Sequence, residues 1–254
     1  MILESAKVTT STEPMAGSRL LWLESPQVAS EAQPGQFVMV RCGEKGEHQL
    51  RRPLSIHQRE GDNIALLFNI VGGGTHWLSQ RTPADRLDLL GPLGNGFKVN
   101  PESKLLMIAG GIGIAPMVFL AEEAVKLGLS PALLYGAPTS TQLYYPHLPN
   151  EVNLVTSTED GSEGKKGMIT DYLHDYINLA DQTFACGPLA MYKTMAKMPE
   201  LKYNPVQISL EVRMGCGLGV CYGCTVKTKN DLKQVCKDGP IFELNDILWE
   251  ELAD

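Results

Sequence analysis

The sequence predicts a multidomain protein with three parts: an antiparallel β domain, an α/β domain and a small cysteine-bearing C-terminal domain. Short apolar runs separated by Gly and Pro fill residues 1–98, a spacing typical of an antiparallel sandwich or barrel. Candidate strands and helices alternate through residues 99–207, which favours a parallel sheet. Four of the six cysteines crowd into residues 208–254, so the last part is expected to be built around them.

The apolar runs give the individual elements of the first two parts. In the first part, the predicted strands include residues 37–41, 64–71 and 87–90. In the second part, the predicted strands are residues 104–109, 131–135, 152–156 and 182–186, and the predicted helices are residues 116–127, 169–176 and 189–198. The alternation of these strands with helices is the pattern of a parallel sheet.

The bulk composition excludes several classes of function. The chain has 254 residues, 43% of them hydrophobic and 20% charged, with a formal net charge of −7. That charge argues against nucleic acid as the partner. Residues 1–14 hold no basic segment followed by an apolar run, so we expect no secretory signal and a cytoplasmic location. The uncharged stretch at residues 105–121 is short for a membrane span and contains glycines and Pro116, so no membrane association is expected.

Four cysteines have the spacing of an iron–sulfur site. They follow the pattern C-x4-C-x2-C with one more distant cysteine, and they are Cys216, Cys221, Cys224 and Cys236. This is the spacing of plant-type [2Fe–2S] ferredoxins. Glycines between the cysteines supply the backbone freedom and close approach that a loop around a cluster needs. A structural zinc site also uses four thiolates, but zinc ribbons usually pair two short C-x2-C knuckles. The pattern therefore favours the cluster and leaves zinc as the alternative.

A glycine loop predicts a dinucleotide site in the second part. The glycines Gly110, Gly111 and Gly113 follow a strand and precede a helix whose first turn holds Pro116. Such a loop lets the backbone approach a pyrophosphate at a helix N-terminus. The run Cys186, Gly187 and Pro188 follows a later strand, at the sheet edge where ligands bind in open α/β folds. For Cys186, the alternative is a small buried core residue.

The choice between NAD and NADP depends on a charged residue that follows the glycine loop. Residues 127–150 contain no Asp, Glu, Lys or Arg. The acid that would bind the ribose hydroxyl of NAD is therefore missing, and so is the cation that the 2′-phosphate of NADP would need. We expect NAD and leave NADP open.

Two further motifs in the first part predict an anion site. Arg52 offers a guanidinium fork for a phosphate, and Ser55 offers a hydroxyl. A glycine run at residues 72–74 with Thr75 forms a second anion cradle that opens a helix near His76. Each motif alone is also a plausible surface turn.

Together these motifs resemble the ferredoxin–NADP reductase superfamily over nearly the whole chain. In that superfamily R-x-[YPL]-S and a later G-x-[ST] bind FAD on a β-barrel, and GGxGxxP with CGP holds the nicotinamide nucleotide. The branch that matches best is the electron-transfer subunits of class 1B dihydroorotate dehydrogenases. The match lies in residues 52–56, in residues 209–211 and in the cysteine pattern. Relatives in ferredoxin–NADP oxidoreductase complexes typically have Asp where this chain has Cys216, and subunits of sulfur-reducing hydrogenases are also similar.

The resemblance implies the cofactors and their residues. The cofactors are FAD, a [2Fe–2S] cluster and, as substrate, NAD. The implied FAD residues are Arg52, Pro53, Leu54, Ser55, Phe68, Asn69, Ile70, Gly74 and Thr75. The implied NAD residues are Gly110, Gly111, Gly113, Pro116, Cys186, Gly187 and Pro188. The implied cluster ligands are the four cysteines of the C-terminal pattern, so Cys42 is not expected to be a ligand.

The resemblance also implies an oxidoreductase subunit with a partner. The partner is an FMN-containing catalytic subunit that oxidises dihydroorotate to orotate in pyrimidine biosynthesis, in a heterotetramer of two copies of each. Electrons would pass from FMN to the cluster, then to FAD and to NAD⁺, and no catalytic side chain is expected in this chain. Two alternatives stay open: a self-standing or hydrogenase-associated NAD(P)H-dependent reductase feeding ferredoxin or sulfur, and a zinc-stabilised nucleotide-binding sensor.

Overall fold

The computed structural model describes residues 1–43 and 47–252. The first part is a closed antiparallel barrel with strand order β1-β2-β5-β4-β3-β6. Its strands are β1 (Ile2–Thr12), β2 (Ser18–Glu24), β3 (Phe37–Val40), β4 (Arg52–Glu60), β5 (Asn63–Asn69) and β6 (Arg86–Leu93). Two short helices, α1 (Pro26–Glu31) and α2 (Gly73–Ser79), connect strands. Alternate residues of each strand, such as Leu21, Leu23, Leu87 and Leu89, fill the interior.

The second part is a seven-stranded sheet with strand order β10-β9-β8-β7-β11-β12-β15. Its strands are β7 (Leu105–Gly110), β8 (Ala132–Ala137), β9 (Asn153–Thr158), β10 (Lys165–Lys166), β11 (Gln182–Cys186), β12 (Val206–Ser209) and β15 (Ile241–Glu243). The strands pair in parallel, except that β15 runs antiparallel to β12. The alternation of strands and helices therefore predicted the parallel sheet correctly.

Helices cover the sheet as the apolar pattern predicts. Helix α3 (Ile114–Lys126) begins two residues before the predicted start, and α4 (Leu189–Met195) ends three residues early. The predicted helix at residues 169–176 is a 3₁₀ helix over Ile169–Asp175. Among the residues that the structure describes, no helix is long and apolar enough to cross a membrane.

The C-terminal part is small and is attached to the sheet. It contains a two-stranded ribbon of β13 (Thr225–Lys227) and β14 (Leu232–Gln234), the single turn α5 (Val235–Asp238), and the sheet strand β15. Strand β12 crosses the predicted boundary between residues 207 and 208. The division into residues 1–98, 99–207 and 208–254 stays a prediction, and the hydrogen bonds of β15 to β12 tie the last two parts together.

One hydrophobic cluster spans all three parts. Phe37, Met39 and Leu93 from the barrel lie in the same buried cluster as Ile208 of the sheet and Cys236 of the C-terminal part. Burial of such side chains away from water is the main force that holds separate units together. The three parts are therefore packed around a shared core.

The barrel also contacts the sheet domain through β4 and α3, and we call this contact the β4–α3 seam. His57 is fully buried there, and its Nδ1 lies 2.8 Å from the carbonyl oxygen of Ala115 in the first turn of α3. Gln58 donates to Glu122 at 2.6 Å. Strand β4 thus carries the predicted flavin motif at one end and contacts to the nucleotide-domain helix along the rest of its length.

Candidate cofactor sites

The two predicted flavin motifs converge at the start of α2. Arg52 begins β4 and therefore lies on a strand, opposite Val40 of β3. A Cβ atom added to Gly74 would lie 2.7 Å from Nε of Arg52. The guanidinium group therefore packs directly on the first turn of α2, and a larger residue at position 74 would displace it from this position. The structure brings together two motifs that are 22 positions apart (74 − 52).

Thr75 organises the turn that precedes α2. Its hydroxyl accepts hydrogen bonds from the N–H groups of Val71 at 2.9 Å and Gly72 at 3.1 Å, and it donates to the carbonyl of Gly72 at 3.0 Å. These bonds satisfy backbone groups at a helix start that would otherwise lack partners. The hydroxyl of Thr75 therefore hydrogen-bonds to the backbone of the glycine turn.

The other predicted flavin residues differ in how far they are exposed to solvent. Pro53, Leu54 and Ser55 continue along β4 and are half-buried. Phe68 is 3% exposed and lies in the barrel core. Of the two residues that follow, Asn69 is exposed and Ile70 is half-buried. Their roles stay a prediction.

The glycine loop and the Cys186–Pro188 run meet at the edge of the sheet. A Cβ atom on Gly113 would overlap the carbonyl of Cys186, and one on Gly110 would lie 2.9 Å from Cδ of Pro188. Gly111 has φ +54° and faces open space. The pairing of β11 beside β7 puts both loops at the carboxyl ends of adjacent parallel strands, which is where open α/β sheets bind ligands.

Residues that the sequence patterns did not single out hold the loop at Gly187 in place. The hydroxyl of Tyr192 donates to the carbonyl of Ser209 at 2.7 Å and accepts from the N–H of Gly187 at 2.9 Å. Tyr192 is buried and its ring stacks on Trp249. Burial, together with the charge of Glu211, raises the pKa of the Cys186 thiol well above its usual range. Cys186 is therefore a neutral, buried thiol, and the only sequence signal for this set was the resemblance at residues 209–211.

The four C-terminal cysteines form two pairs. Cys224 and Cys236 are buried with their sulfur atoms 3.3 Å apart. Cys216 and Cys221 are close enough that the Cys221 side chain helps to lower the pKa of the Cys216 thiol. A two-iron cluster takes two thiolates at each iron, and the two pairs fit that requirement. Within residues 1–43 and 47–252, no group of three or more His, Cys, Asp or Glu side chains is arranged to hold a single metal ion.

Backbone N–H groups point at the sulfur atoms. Leu218 donates to Cys216 at 3.3 Å, Gly219 to Cys236 at 3.1 Å and Gly223 to Cys221 at 3.5 Å. Desolvation raises the pKa of the Cys216 thiol, but N–H groups of the loop outweigh it and lower that pKa to about 6. For Cys236, burial and the neighbouring Cys224 raise the pKa to about 12. N–H groups directed at sulfur stabilise negative charge, which is what a thiolate-bound cluster needs.

The cysteine loop packs against the barrel next to the flavin motif. Gly217 has φ +74°, and a Cβ there would lie 2.5 Å from Cγ of Met39. Met39 is on β3 and pairs with Pro53 of β4, and adjacent strands lie about 4.8 Å apart. The cysteine loop and the residues around Arg52 are therefore separated by a single strand.

Cys42 lies outside this group. It is 1% exposed at the end of β3, and its thiol faces the carbonyl of Val40 at 3.6 Å. Burial raises its pKa to about 11, although Arg52 and Arg51 act in the opposite direction. In this structure all six cysteines are free thiols.

Comparison with known proteins gives consistent matches. Residues 211–248 match the iron–sulfur cluster binding domain of dihydroorotate dehydrogenase B, and residues 107–197 match the oxidoreductase NAD-binding domain. The dihydroorotate dehydrogenase B (NAD(+)) electron transfer subunit of Desulforamulus reducens is 40% identical over 238 residues, covering 89% of this chain and 91% of that protein. The subunit of the same name from Clostridium acetobutylicum is 39% identical, covering 84% and 85%.

Solved structures show the same arrangement. The structure of an NADH-dependent reduced ferredoxin–NADP oxidoreductase, described in connection with flavin-based electron bifurcation, superposes with a TM-score of 0.88 and is 30% identical. The match covers 97% of this chain and 91% of that one. The ferredoxin reductase of carbazole 1,9a-dioxygenase has a TM-score of 0.65 at 19% identity, covering 76% and 63%, and shares the fold.

Proposed function

The chain belongs to the family of dihydroorotate dehydrogenase B (NAD(+)) electron transfer subunits, and from this premise we propose that it carries electrons from an FMN-containing catalytic subunit to NAD⁺. The catalytic subunit would oxidise dihydroorotate to orotate for pyrimidine biosynthesis. When bound, a [2Fe–2S] cluster and FAD supply the redox chemistry, since the cluster exchanges single electrons and the flavin connects them to a two-electron nicotinamide. The observation that carries the proposal is the packing of the cysteine loop on β3, one strand from Arg52.

The chain's own residues position these groups. The pair Cys216 and Cys221 and the pair Cys224 and Cys236 would supply the four thiolates that hold the cluster. N–H groups of the loop, including that of Gly219, hold negative charge at the sulfurs. A cytoplasmic location is part of the proposal, because thiolate ligands require cysteines that stay reduced.

We assign the phosphates of FAD to Arg52 and the turn at Gly74, because a guanidinium beside a helix start favours an anion. We assign the dinucleotide to the loop at Gly111 and Gly113 and to the neighbouring Gly187. The hydroxyl of Tyr192 accepts a hydrogen bond from the N–H of Gly187 and so holds the backbone of this loop in place. The proposal includes NAD rather than NADP as the nucleotide and a heterotetramer of two copies of each subunit.

The test is reconstitution. The purified chain should contain iron and sulfide at about two each, as a [2Fe–2S] centre requires, and should reduce artificial dyes with NADH. It should oxidise dihydroorotate with NAD⁺ only after the FMN-containing subunit is added, because removal of hydrogen from a C–C bond needs a flavin facing that substrate and a positioned base. Zinc without sulfide in anaerobically prepared protein would contradict the cluster.

The second candidate is a subunit of an NADH-dependent ferredoxin–NADP oxidoreductase, favoured by the 0.88 TM-score to such a structure. It predicts electron exchange with ferredoxin in the absence of any dihydroorotate-oxidising subunit. Cys216 argues against it, because the resemblance associates Asp with the first ligand position of those proteins. Ferredoxin reduction assayed beside dihydroorotate oxidation separates the two candidates.

A further inference from the structure

His57 is a buried polar residue to which the proposed function gives no role. It lies on β4, the strand that carries Ser55 of the predicted flavin motif, and it is fully buried. Its Nδ1 lies 2.8 Å from the carbonyl oxygen of Ala115. Because a carbonyl oxygen only accepts, Nδ1 carries the proton and Nε2 is left as an acceptor. A buried polar side chain destabilises the fold unless its hydrogen bonds are made, so the partners of both nitrogens matter.

The acceptor side of the His57 ring faces Tyr144. Nε2 lies 3.4 Å from the Tyr144 hydroxyl, and the two rings are tilted by 53° with their centroids 5.6 Å apart. Tyr144 is itself held in place, since its N–H donates to the hydroxyl of the buried Tyr135 on β8 at 3.1 Å. The tautomer of a histidine is set by the hydrogen bond that its other nitrogen makes. Tyr144 therefore keeps Nδ1 protonated and directed at Ala115.

The two partners of His57 belong to two segments at the ligand-binding edge of the sheet. Ala115 lies in the first turn of α3, directly after the glycine loop that follows β7. Tyr144 lies in the segment that follows β8. Strands β7 and β8 are adjacent and parallel, so both segments leave the sheet at its carboxyl edge, where open α/β folds bind ligands. One side chain of the barrel thus contacts both segments beside the predicted dinucleotide site.

A neighbouring polar contact of the β4–α3 seam lies further along the helix. Gln58, the next residue of β4, donates to Glu122 at 2.6 Å. Glu122 is seven positions beyond Ala115 (122 − 115), which is about two helical turns. The Gln58 bond therefore joins the barrel to the middle of α3, whereas His57 binds its first turn. Comparison of the two bonds separates the attachment of the domains from the placement of the helix start.

We propose that His57 is a positioning residue for the dinucleotide: it fixes the first turn of α3, and with it the glycine loop at residues 110–113, relative to the flavin barrel. The inference rests on the proposed function, which assigns the dinucleotide to this loop. A phosphate is bound by backbone N–H groups and the helix N-terminus. Binding is stronger when such groups are held in the bound arrangement beforehand. His57 supplies that restraint from the domain that carries the flavin motif.

Two substitutions at position 57 separate the two contacts. The amide of His57→Asn takes the place of Nδ1 and keeps a donor for Ala115. The longer side chain of His57→Gln places its amide near Nε2, beside Tyr144, and leaves Ala115 without this donor. In protein loaded with FAD and cluster, calorimetry should give a Kd for NAD⁺ about tenfold higher in His57→Gln, equivalent to 1.4 kcal/mol, and within about twofold of wild type in His57→Asn. Dye reduction by NADH should show the same change in KM with kcat unchanged, which a loss of stability alone does not produce.

Gln58→Met is the matched control, because it removes the neighbouring seam hydrogen bond and leaves the helix start untouched. It should lower the thermal unfolding midpoint and leave the Kd for NAD⁺ at the wild-type value. Tyr144→Phe removes the hydroxyl that sets the tautomer and should raise that Kd about threefold, which keeps the inference testable if His57→Gln does not fold.

An unchanged Kd for NAD⁺ in Tyr144→Phe, or in folded His57→Gln, would overturn the inference. Equal increases in His57→Gln and His57→Asn would also overturn it, since the bond to Ala115 would then not be the cause, and so would an equal increase in Gln58→Met. Failure of the wild-type chain to bind NAD⁺ would instead contradict the proposed function.

Discussion

Two adjacent arginines illustrate how the fold separates neighbouring residues. Arg51 donates to the carboxylate of Asp88 at 2.9 Å and to the carbonyls of Met39 and Asp88. Its guanidinium is therefore satisfied by the barrel. Arg52 is directed instead to Gly74 and the turn at α2. The sequence predicted the anion site at Arg52, and Arg52 is the arginine of this pair that packs on the glycine turn.

Arg52→Ala should weaken FAD binding. Loss of a charge-assisted hydrogen bond costs roughly 1.5–3 kcal/mol, so the dissociation constant should rise by about 10- to 100-fold. Flavin fluorescence titration of the apoprotein measures it. Arg51→Ala is the control: it should lower barrel stability while the folded protein binds flavin as before. Unchanged flavin occupancy of Arg52→Ala after extensive dialysis would show that the site is misplaced.

Gly111 offers a test of the dinucleotide loop. Gly111 has φ +54° and Gly128 has φ +82°, and an added Cβ would meet no atom within 4 Å at either position. An alanine therefore suffers a similar backbone penalty of roughly 1–2 kcal/mol at both sites. Only Gly111 lies on the loop assigned to the nucleotide. Gly111→Ala should raise KM for NADH by about tenfold, equivalent to 1.4 kcal/mol, and Gly128→Ala should not. Equal KM values in steady-state dye reduction would contradict the assignment.

At the scale of elements, β4 and α3 connect the flavin and nucleotide regions. His57 donates from Nδ1 to Ala115, and its Nε2 lies 3.4 Å from the hydroxyl of Tyr144. Full burial lowers the pKa of His57 to about 4, although the bond to Ala115 acts in the opposite direction. The ring is therefore neutral near pH 7. Protonation would place an unpaired charge in this seam.

The pH dependence of stability should report this buried histidine. The unfolded side chain titrates near 6.5 and the folded one near 4, so the stabilisation is complete above the unfolded pKa and is lost as pH falls toward 4. Between pH 7 and pH 5 the contribution should decrease by about 2 kcal/mol. Urea unfolding at the two pH values should show this loss in the wild type and much less of it in His57→Asn, which keeps a donor but does not titrate.

Glu122 is the internal check on that experiment. Burial raises the pKa of its carboxyl. Its contribution to the free energy of unfolding therefore increases as pH falls, whereas that of His57 decreases. A variant that removes only His57 leaves Glu122 in place and isolates the histidine. Identical pH dependence in wild type and His57→Asn would show that His57 is not the group that titrates.

The elements that the sequence predicted well are those whose signal is local. The cysteine spacing, the glycine loop and the runs of buried strands such as β7 all lie within short segments. Strand β1 was not identified, because Ala6 and Val8 are the only buried residues of Ile2–Thr12 and give too short an apolar pattern to mark a strand. His57 and Tyr192 were also missed. Their partners are 58 and 17 residues away, and no local pattern marks a side chain whose role depends on distant packing.

At the scale of the whole molecule, the order of the sites follows from packing. The cysteine loop contacts β3, β3 pairs with β4, and β4 packs on α3, which begins at the glycine loop. The resemblance implied the cofactors. The contacts in the structure put the residues predicted to hold them in this spatial order. This spatial order is what an electron path from partner to nicotinamide requires. The antiparallel pairing of β15 with β12 fixes the cysteine-bearing part on the sheet.

Cys221→Ser tests that order directly. The substitution removes one thiolate ligand and should prevent the cluster from being retained. Dihydroorotate-to-NAD⁺ turnover by the reconstituted complex should then be abolished, because electrons from the partner subunit cannot reach the flavin through the cluster. NADH oxidation by a dye that accepts directly from FAD should largely survive, since the flavin and nucleotide residues lie on the other side of β3. Cys42→Ser is the matched control, because Cys42 is buried in the barrel core, in a different hydrophobic cluster from Cys224 and Cys236, and it should leave iron content and both activities unchanged. Full dihydroorotate-to-NAD⁺ turnover in Cys221→Ser would place the cluster off the electron path and end this mechanism.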